Sequence, residues 1–257
     1  MNGEKMVKKN QGKQTKVKGL LFGLIALLVF TATAGQIDLS KFDPNNLETI
    51  VDIFNEPKKT YPSLEALPEF DGNHYVVEIN QNKPNFTEAE LSIQKGYWQH
   101  FSNLDALNRV GQADAMLQRD FMPTEKRGDI SSVRPTGWKQ KKMQNGDMLY
   151  NRSHLIAHQF TGENANLKNL MTGTQYMNQV TMKEYEQVVA KYLKSTTNHI
   201  RYRVTPYFKN TELVARGVQI EAQSIEDNEV SFNVFLYNVQ PGYTIDYQTG
   251  ESKGISK

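Results

Sequence analysis

Five histidines occur among 257 residues, at positions 74, 100, 154, 158 and 199. Only His154 stands where a short apolar run, Met148-Leu149-Tyr150, passes into a polar cluster, Asn151-Arg152-Ser153. Strand ends that open into polar loops are where sites are usually built. A neutral imidazole can take a proton from water near neutral pH. An arginine two residues away offers a planar, permanently charged fork to a phosphate. The same histidine has a second reading, because His154-Leu155-Ile156-Ala157-His158 has the i, i+4 spacing of a helical zinc pair. Metalloproteases with that pair carry a glutamate after the first histidine, and here the position holds Leu155. The chain contains no cysteine, which excludes disulfides, thiolate zinc sites and a cysteine nucleophile.

The elements that must position these residues are legible from periodicity and turn chemistry. Tyr75-Val76-Val77-Glu78-Ile79 is β-rich and runs into a turn cluster over residues 80–84. Residues 87–91 are acidic enough to start a helix, and residues 111–117 alternate small and apolar side chains as a strand does. After the break at 162–166, residues 177–194 place Val180, Met182, Tyr185, Val188, Val189 and Leu193 on a helical stripe. Three β-rich runs follow, at 200–206, 212–224 and 230–239. This order predicts an α+β domain with an antiparallel sheet.

The amino terminus is different in kind. Six lysines within residues 5–18 precede an apolar run over 19–30 and then Thr31-Ala32-Thr33-Ala34, the order of an export signal. The expected organisation is a signal peptide or amino-terminal membrane anchor at 1–34, a linker at 35–68 and one catalytic domain at 69–257. Together with the absence of cysteine, this leader points to a secreted or membrane-anchored bacterial surface protein. The leader carries six of the 30 basic residues and one of the 28 acidic ones, so residues 35–257 are net −3 although the whole chain is +2. Overall charge therefore says nothing about nucleic acid. Residues 119–152 hold eight cations against four acids, either a phosphate track or a solvated charged loop.

Three ordered runs add specificity: Tyr150-Asn151-Arg152-Ser153-His154-Leu155-Ile156, Gly162-Glu163-Asn164-Ala165-Asn166-Leu167-Lys168-Asn169-Leu170, and Thr172-Gly173-Thr174-Gln175-Tyr176-Met177-Asn178. They resemble the DNA/RNA non-specific endonucleases of the ββα-metal fold, in particular streptococcal and related Gram-positive secreted or DNA-entry nucleases. The likeness continues through Tyr202-Arg203-Val204-Thr205-Pro206 and Phe232-Asn233-Val234-Phe235 to Asn238-Val239-Gln240-Pro241-Gly242. Several ordered motifs are far more specific than one short match.

The resemblance implies a central antiparallel sheet with flanking helices. It also implies hydrolysis of DNA, and of RNA as a further substrate, with Mg²⁺ as cofactor and Mn²⁺ as a substitute. By the family pattern His154 is the general base, Asn178 the single protein ligand of the metal, and Glu186 a support for its hydration. The family's usual D-R-G-H appears here as Asn151-Arg152-Ser153-His154. On a continuous helix the eight residues from Asn178 to Glu186 rise about 12 Å, which suits Glu186 to holding water or positioning an arginine. Arg152 is expected to clamp a phosphate, and Lys126 and Arg127 are expected to add phosphate contacts. Such contacts position a strand without reading its sequence, and the chain shows no recognition helix or zinc finger. The competing expectation is a catalytically inactive, secreted nucleic-acid-binding protein on the same fold.

Overall fold

Along residues 200–205, Ile200, Tyr202 and Val204 alternate with Arg201, Arg203 and Thr205. A strand with that pattern must bury one face against a core and give the other to polar partners. The computed structural model describes residues 58–255 and builds its main sheet around this run. In chain order the strands are β1 (Thr60–Tyr61), β2 (Val76–Ile79), β3 (Trp98–Phe101), β4 (Ala113–Leu117), β5 (Tyr150–His154), β6 (Leu170–Thr174), β7 (Ile200–Tyr207), β8 (Gly217–Ser224), β9 (Ser231–Tyr237), β10 (Tyr243–Ile245) and β11 (Ser252–Gly254). Seven of them form one sheet in the order β1-β2-β9-β8-β7-β4-β3, antiparallel except for the β1–β2 pair. The expected α+β architecture is the one observed.

β5 and β6 form a separate antiparallel pair, with Tyr150 opposite Thr174 and His154 opposite Leu170. A π-helical turn, Met177–Thr181, follows and continues as helix α2, Met182–Ser195; the short helix α1, His158–Thr161, lies between the two strands in sequence. Two strands and a helix thus make one ββα unit. It packs on the apolar face of the main sheet through Leu155, Met177, Met182, Val189 and Leu193, which share a core with Ala115, Tyr202, Val204, Ile220 and Ala222.

The opposite face is polar, and part of it lines an open cavity with Arg203, Glu221 and Asn233 on its wall. Asp114, Arg203, Glu221 and Asn233 stand side by side across β4, β7, β8 and β9. Arg201 is ion-paired to Asp114, and Arg203 is ion-paired to Asp114 and Glu90. The Phe86 ring lies 4.8 and 4.7 Å from the two guanidinium groups.

Three expectations differ from the observed elements. Residues 87–91 form turns in place of a helix: Thr87 and Glu90 make the reciprocal bonds of a helix start, but the turn is not continued past Leu91 and Glu90 is held outward by Arg203. β8 begins at Gly217, since Glu212 is held in the preceding loop by Arg216 and the Lys209 N–H. Residues 58–68, expected as linker, lie in the folded unit: Thr60 and Tyr61 pair with Glu78 and Ile79, and Lys58 Nζ donates to the Tyr185 hydroxyl at 2.7 Å. The leader and the rest of the linker lie outside the described residues.

Candidate active site

His154 closes β5, and asparagines of the following loop fix what comes after it. The Ile156 N–H donates to Asn169 Oδ1 at 2.8 Å, and Asn169 Nδ2 returns a bond to the Ile156 carbonyl at 3.0 Å. Asn166 Oδ1 accepts from the Lys168 N–H and caps a short 3₁₀ turn. With the loop held in this way, the Asn164 carbonyl accepts a hydrogen bond from His154 Nε2 at 2.8 Å. A carbonyl can only accept, so the proton of the neutral ring resides on Nε2 and the lone pair on Nδ1. Burial pulls the His154 pKa down to about 4, and the nearby Arg127 and His158 act in the same direction against the Asn164 carbonyl. The ring is therefore neutral at pH 7 with a base nitrogen on offer.

Arg127 faces that nitrogen, with Nη2 3.4 Å from His154 Nδ1. Its loop is seated on the asparagine loop: a Cβ at Gly128 would come within 2.7 Å of Asn164 Nδ2. The Arg127 charge also reaches His158 and Glu186. Lys126 beside it is exposed. Arg152 is placed differently from the expected phosphate clamp. Its Nε and Nη2 donate to the Val133 and Ser131 carbonyls at 2.6 and 2.7 Å, and its guanidinium stacks 4.3 Å from the Trp138 ring. The fork edge is thus engaged with the 131–133 loop, and a phosphate would meet only the remaining Nη hydrogens.

The helix start that carries Asn178 is fixed from the main sheet. Asn238, buried behind β6, accepts from the Thr174 N–H and donates to the Thr172 and Ala215 carbonyls. Gln240 accepts from the Tyr176 N–H, and the Thr174 hydroxyl accepts from the Met177 N–H. Asn178 then falls within the π turn, a local widening that recurs at functional sites. Its amide makes no hydrogen bond among the described residues. Glu186, on α2, also has no hydrogen-bond partner there. It keeps an exposed edge, but protein surrounds most of its carboxyl, and burial pushes its pKa up to about 7 against the pull of Arg127 and Lys183.

An amide oxygen and a carboxyl are the donor types that a hard cation takes while keeping most of its water, as magnesium does. Among the described residues no group of three His, Asp or Glu side chains converges as a metal cage. The zinc-pair alternative loses its geometry, since His154 ends a strand and His158 opens α1, so the two do not share a helix face. Asn151 and Ser153 lie on the other side of β5, opposite Gly173 and Met171. The Ser153 hydroxyl is buried without a partner, and a Cβ on Gly173 would collide with it at 2.1 Å.

Sequence reasoning missed Asn164, Asn169, Asn238 and Gln240 as the residues that hold the site together. All four lie in motifs quoted above, but the atom that matters at Asn164 is a backbone carbonyl, for which residue type gives no signal.

Comparison with known proteins fits this arrangement. The family model described as DNA/RNA non-specific endonuclease matches residues 78–226, more than half of the chain. A curated deoxyribonuclease from Streptococcus dysgalactiae subsp. equisimilis is 34% identical over 107 residues. That match covers 40% of this chain and 32% of the enzyme, so the chain matches about a third of its relative's length. Among solved structures, NucA from Streptococcus agalactiae with a magnesium ion bound is 28% identical, covering 70% of this chain and 88% of that one, at a TM-score of 0.62. The same nuclease with no metal bound is 26% identical, with coverage of 82% and 97% and a TM-score of 0.64.

Proposed function

The chain belongs to the DNA/RNA non-specific endonuclease family, and from that premise we propose a Mg²⁺-dependent endonuclease that hydrolyses DNA, and RNA as a further substrate, without sequence preference. The observation that carries this reading is the fixed orientation of His154, whose Nε2 is tied to the Asn164 carbonyl while Nδ1 faces the Arg127 guanidinium.

His154 Nδ1 takes the proton of the attacking water, and the Asn164 carbonyl keeps the ring in the tautomer this requires and steadies the imidazolium that results. Arg127, exposed beside the base, places a phosphoryl oxygen within reach of that water and offsets charge as it develops. Lys126 adds attraction for neighbouring phosphates. Arg152 holds the 131–133 loop and so orders one wall of the site. Asn178 offers its amide oxygen as the protein ligand of magnesium, and Glu186 accepts hydrogen bonds from the waters around it. When bound, the ion stabilises the phosphoryl charge and supports departure of the 3′ oxygen. Manganese is expected to substitute. The leader motivates a location outside the cytoplasm, secreted or anchored at the extracellular face of a Gram-positive bacterium.

Plasmid degradation by the purified protein, with and without EDTA, tests the reading. Cutting is expected with Mg²⁺, lost on chelation and lost in His154→Ala. A protein that binds the plasmid but leaves it intact in Mg²⁺ or Mn²⁺ is the inactive binding protein instead. Cell fractionation tests the location, and recovery wholly in the cytosol contradicts it.

A further inference from the structure

Tyr202 sits in the middle of β7 with Ala115 directly opposite on one side and Ala222 on the other. Two alanines leave room for the ring to rise from the sheet into the layer that holds the ββα unit, where the Phe160 ring meets it edge-on at 5.4 Å. Its hydroxyl is fully buried and has no hydrogen-bond partner among the described residues. Such orphans are rare in native proteins, because a buried hydroxyl gives up its water for nothing unless a partner is present. The charge whose field reaches this hydroxyl is the Glu186 carboxylate, which is itself without a hydrogen-bond partner there. Glu186 lies on α2 between Met182 and Val189, both of which share a core with Tyr202, so the helix turn that carries the carboxyl packs over the ring that carries the orphan hydroxyl.

We propose that Tyr202 is a positioning residue for Glu186: its hydroxyl donates to the Glu186 carboxylate through one buried water and fixes that carboxylate for its work on the hydrated metal. The inference rests on the role given to Glu186 above. A glutamate side chain on a helix otherwise keeps several rotamers. The cations that face the carboxyl, Arg127 from the preceding loop and Lys183 from its own helix, attract it without fixing its direction. A donor rising from the rigid sheet supplies that direction. Partners that orient metal-site groups in this way typically matter by about 10- to 100-fold in metal affinity or activity.

Tyr202→Phe keeps the ring and removes only the oxygen. In the full chain, Mn²⁺ binding to substrate-free protein, followed by electron paramagnetic resonance, is compared with DNA cutting for wild type, Tyr202→Phe, Glu186→Gln and the double variant. The expected result is a loss of roughly 10- to 100-fold for Tyr202→Phe, with no further loss when it is added to Glu186→Gln. Wild-type behaviour of Tyr202→Phe, or a loss that repeats in full on top of Glu186→Gln, overturns the inference and leaves the role of Glu186 standing. If Glu186→Gln alone changes neither metal binding nor cutting, both readings fall. A second measurement does not depend on the folding of Tyr202→Phe: the ¹³Cζ resonance of Tyr202 in metal-free protein is expected to move in Glu186→Gln, and an unmoved resonance overturns the proposal.

Discussion

Two clusters of polar and charged groups lie on opposite faces of one sheet, and they differ in how their charges are partnered. On the far face Asp114, Glu90, Arg201 and Arg203 hold one another in ion pairs beneath Phe86, and despite its burial the Asp114 carboxyl is held below its ordinary pKa by Arg201, Gln112 and Arg203. On the helix face Asn178 and Glu186 lack hydrogen-bond partners among the described residues, and burial drives the Glu186 carboxyl upward. Buried polarity alone therefore does not mark a site. The first cluster meets its charges within the protein, apart from one buried Arg201 Nε, and serves the fold, whereas the second leaves an amide and a carboxyl without protein partners among the described residues at a partly open position.

Breaking each cluster should have opposite consequences. Asp114→Ala leaves the buried Arg201 and the partly buried Arg203 without their shared carboxylate and is expected to destabilise by about 3 kcal/mol, with normal cutting by the fraction that remains folded; denaturant titration beside a nuclease assay checks both. Asn178→Ala is expected to lose on the order of 10²–10³ in Mg²⁺-dependent rate while the thermal midpoint barely moves. Equal loss of folding would make Asn178 structural and erase the contrast.

Glu186 sharpens the comparison through pH. Its pKa is higher in the metal-free fold, at about 7, than the ordinary 4.5. Its contribution to stability is thus fully present below pH 4.5 and lost as pH rises through 7. Glu186→Gln should accordingly stabilise metal-free protein at pH 8 by roughly 1–3 kcal/mol and change little at pH 4.5, although cutting falls. No difference between the two pH values would mean that the carboxyl is well solvated. The smallest effect is expected at Ser153, whose buried hydroxyl has no partner. Ser153→Ala should raise stability by about 1 kcal/mol, visible as a higher thermal midpoint.

The residues explain why parts of this structure were readable in advance. β7 follows from alternation, since a one-residue slip would expose Ile200, Tyr202 and Val204 together, and β9 follows from a run of β-forming residues bounded by turns. The order of the ββα unit followed from its motifs, with Arg152 and His154 on one strand and Asn178 at the start of the helix. The π turn at Asn178 was not readable, because an apolar stripe reports a helix without reporting its hydrogen-bond register. Arg152 looked like a phosphate clamp because residue type shows a fork but not the Val133 and Ser131 carbonyls that engage it. The long segment before β5 carried a charge signal alone. That signal gave Arg127 its candidacy, while its contact with His154 depends on the seating of Gly128 against Asn164, which no local pattern encodes.

The central claim is that His154 acts as a base through Nδ1 and not as a metal ligand. Truncation in His154→Gly leaves Asn178, Arg127 and the helix in place and removes a general-base contribution of about 10²- to 10⁴-fold. The decisive measurement is DNA cutting by His154→Gly with added imidazole across pH, set against the same variant with excess divalent metal. Partial recovery with imidazole, following the titration of free imidazole, is the result this account predicts. Recovery with excess metal and none with imidazole would contradict it and make His154 a ligand.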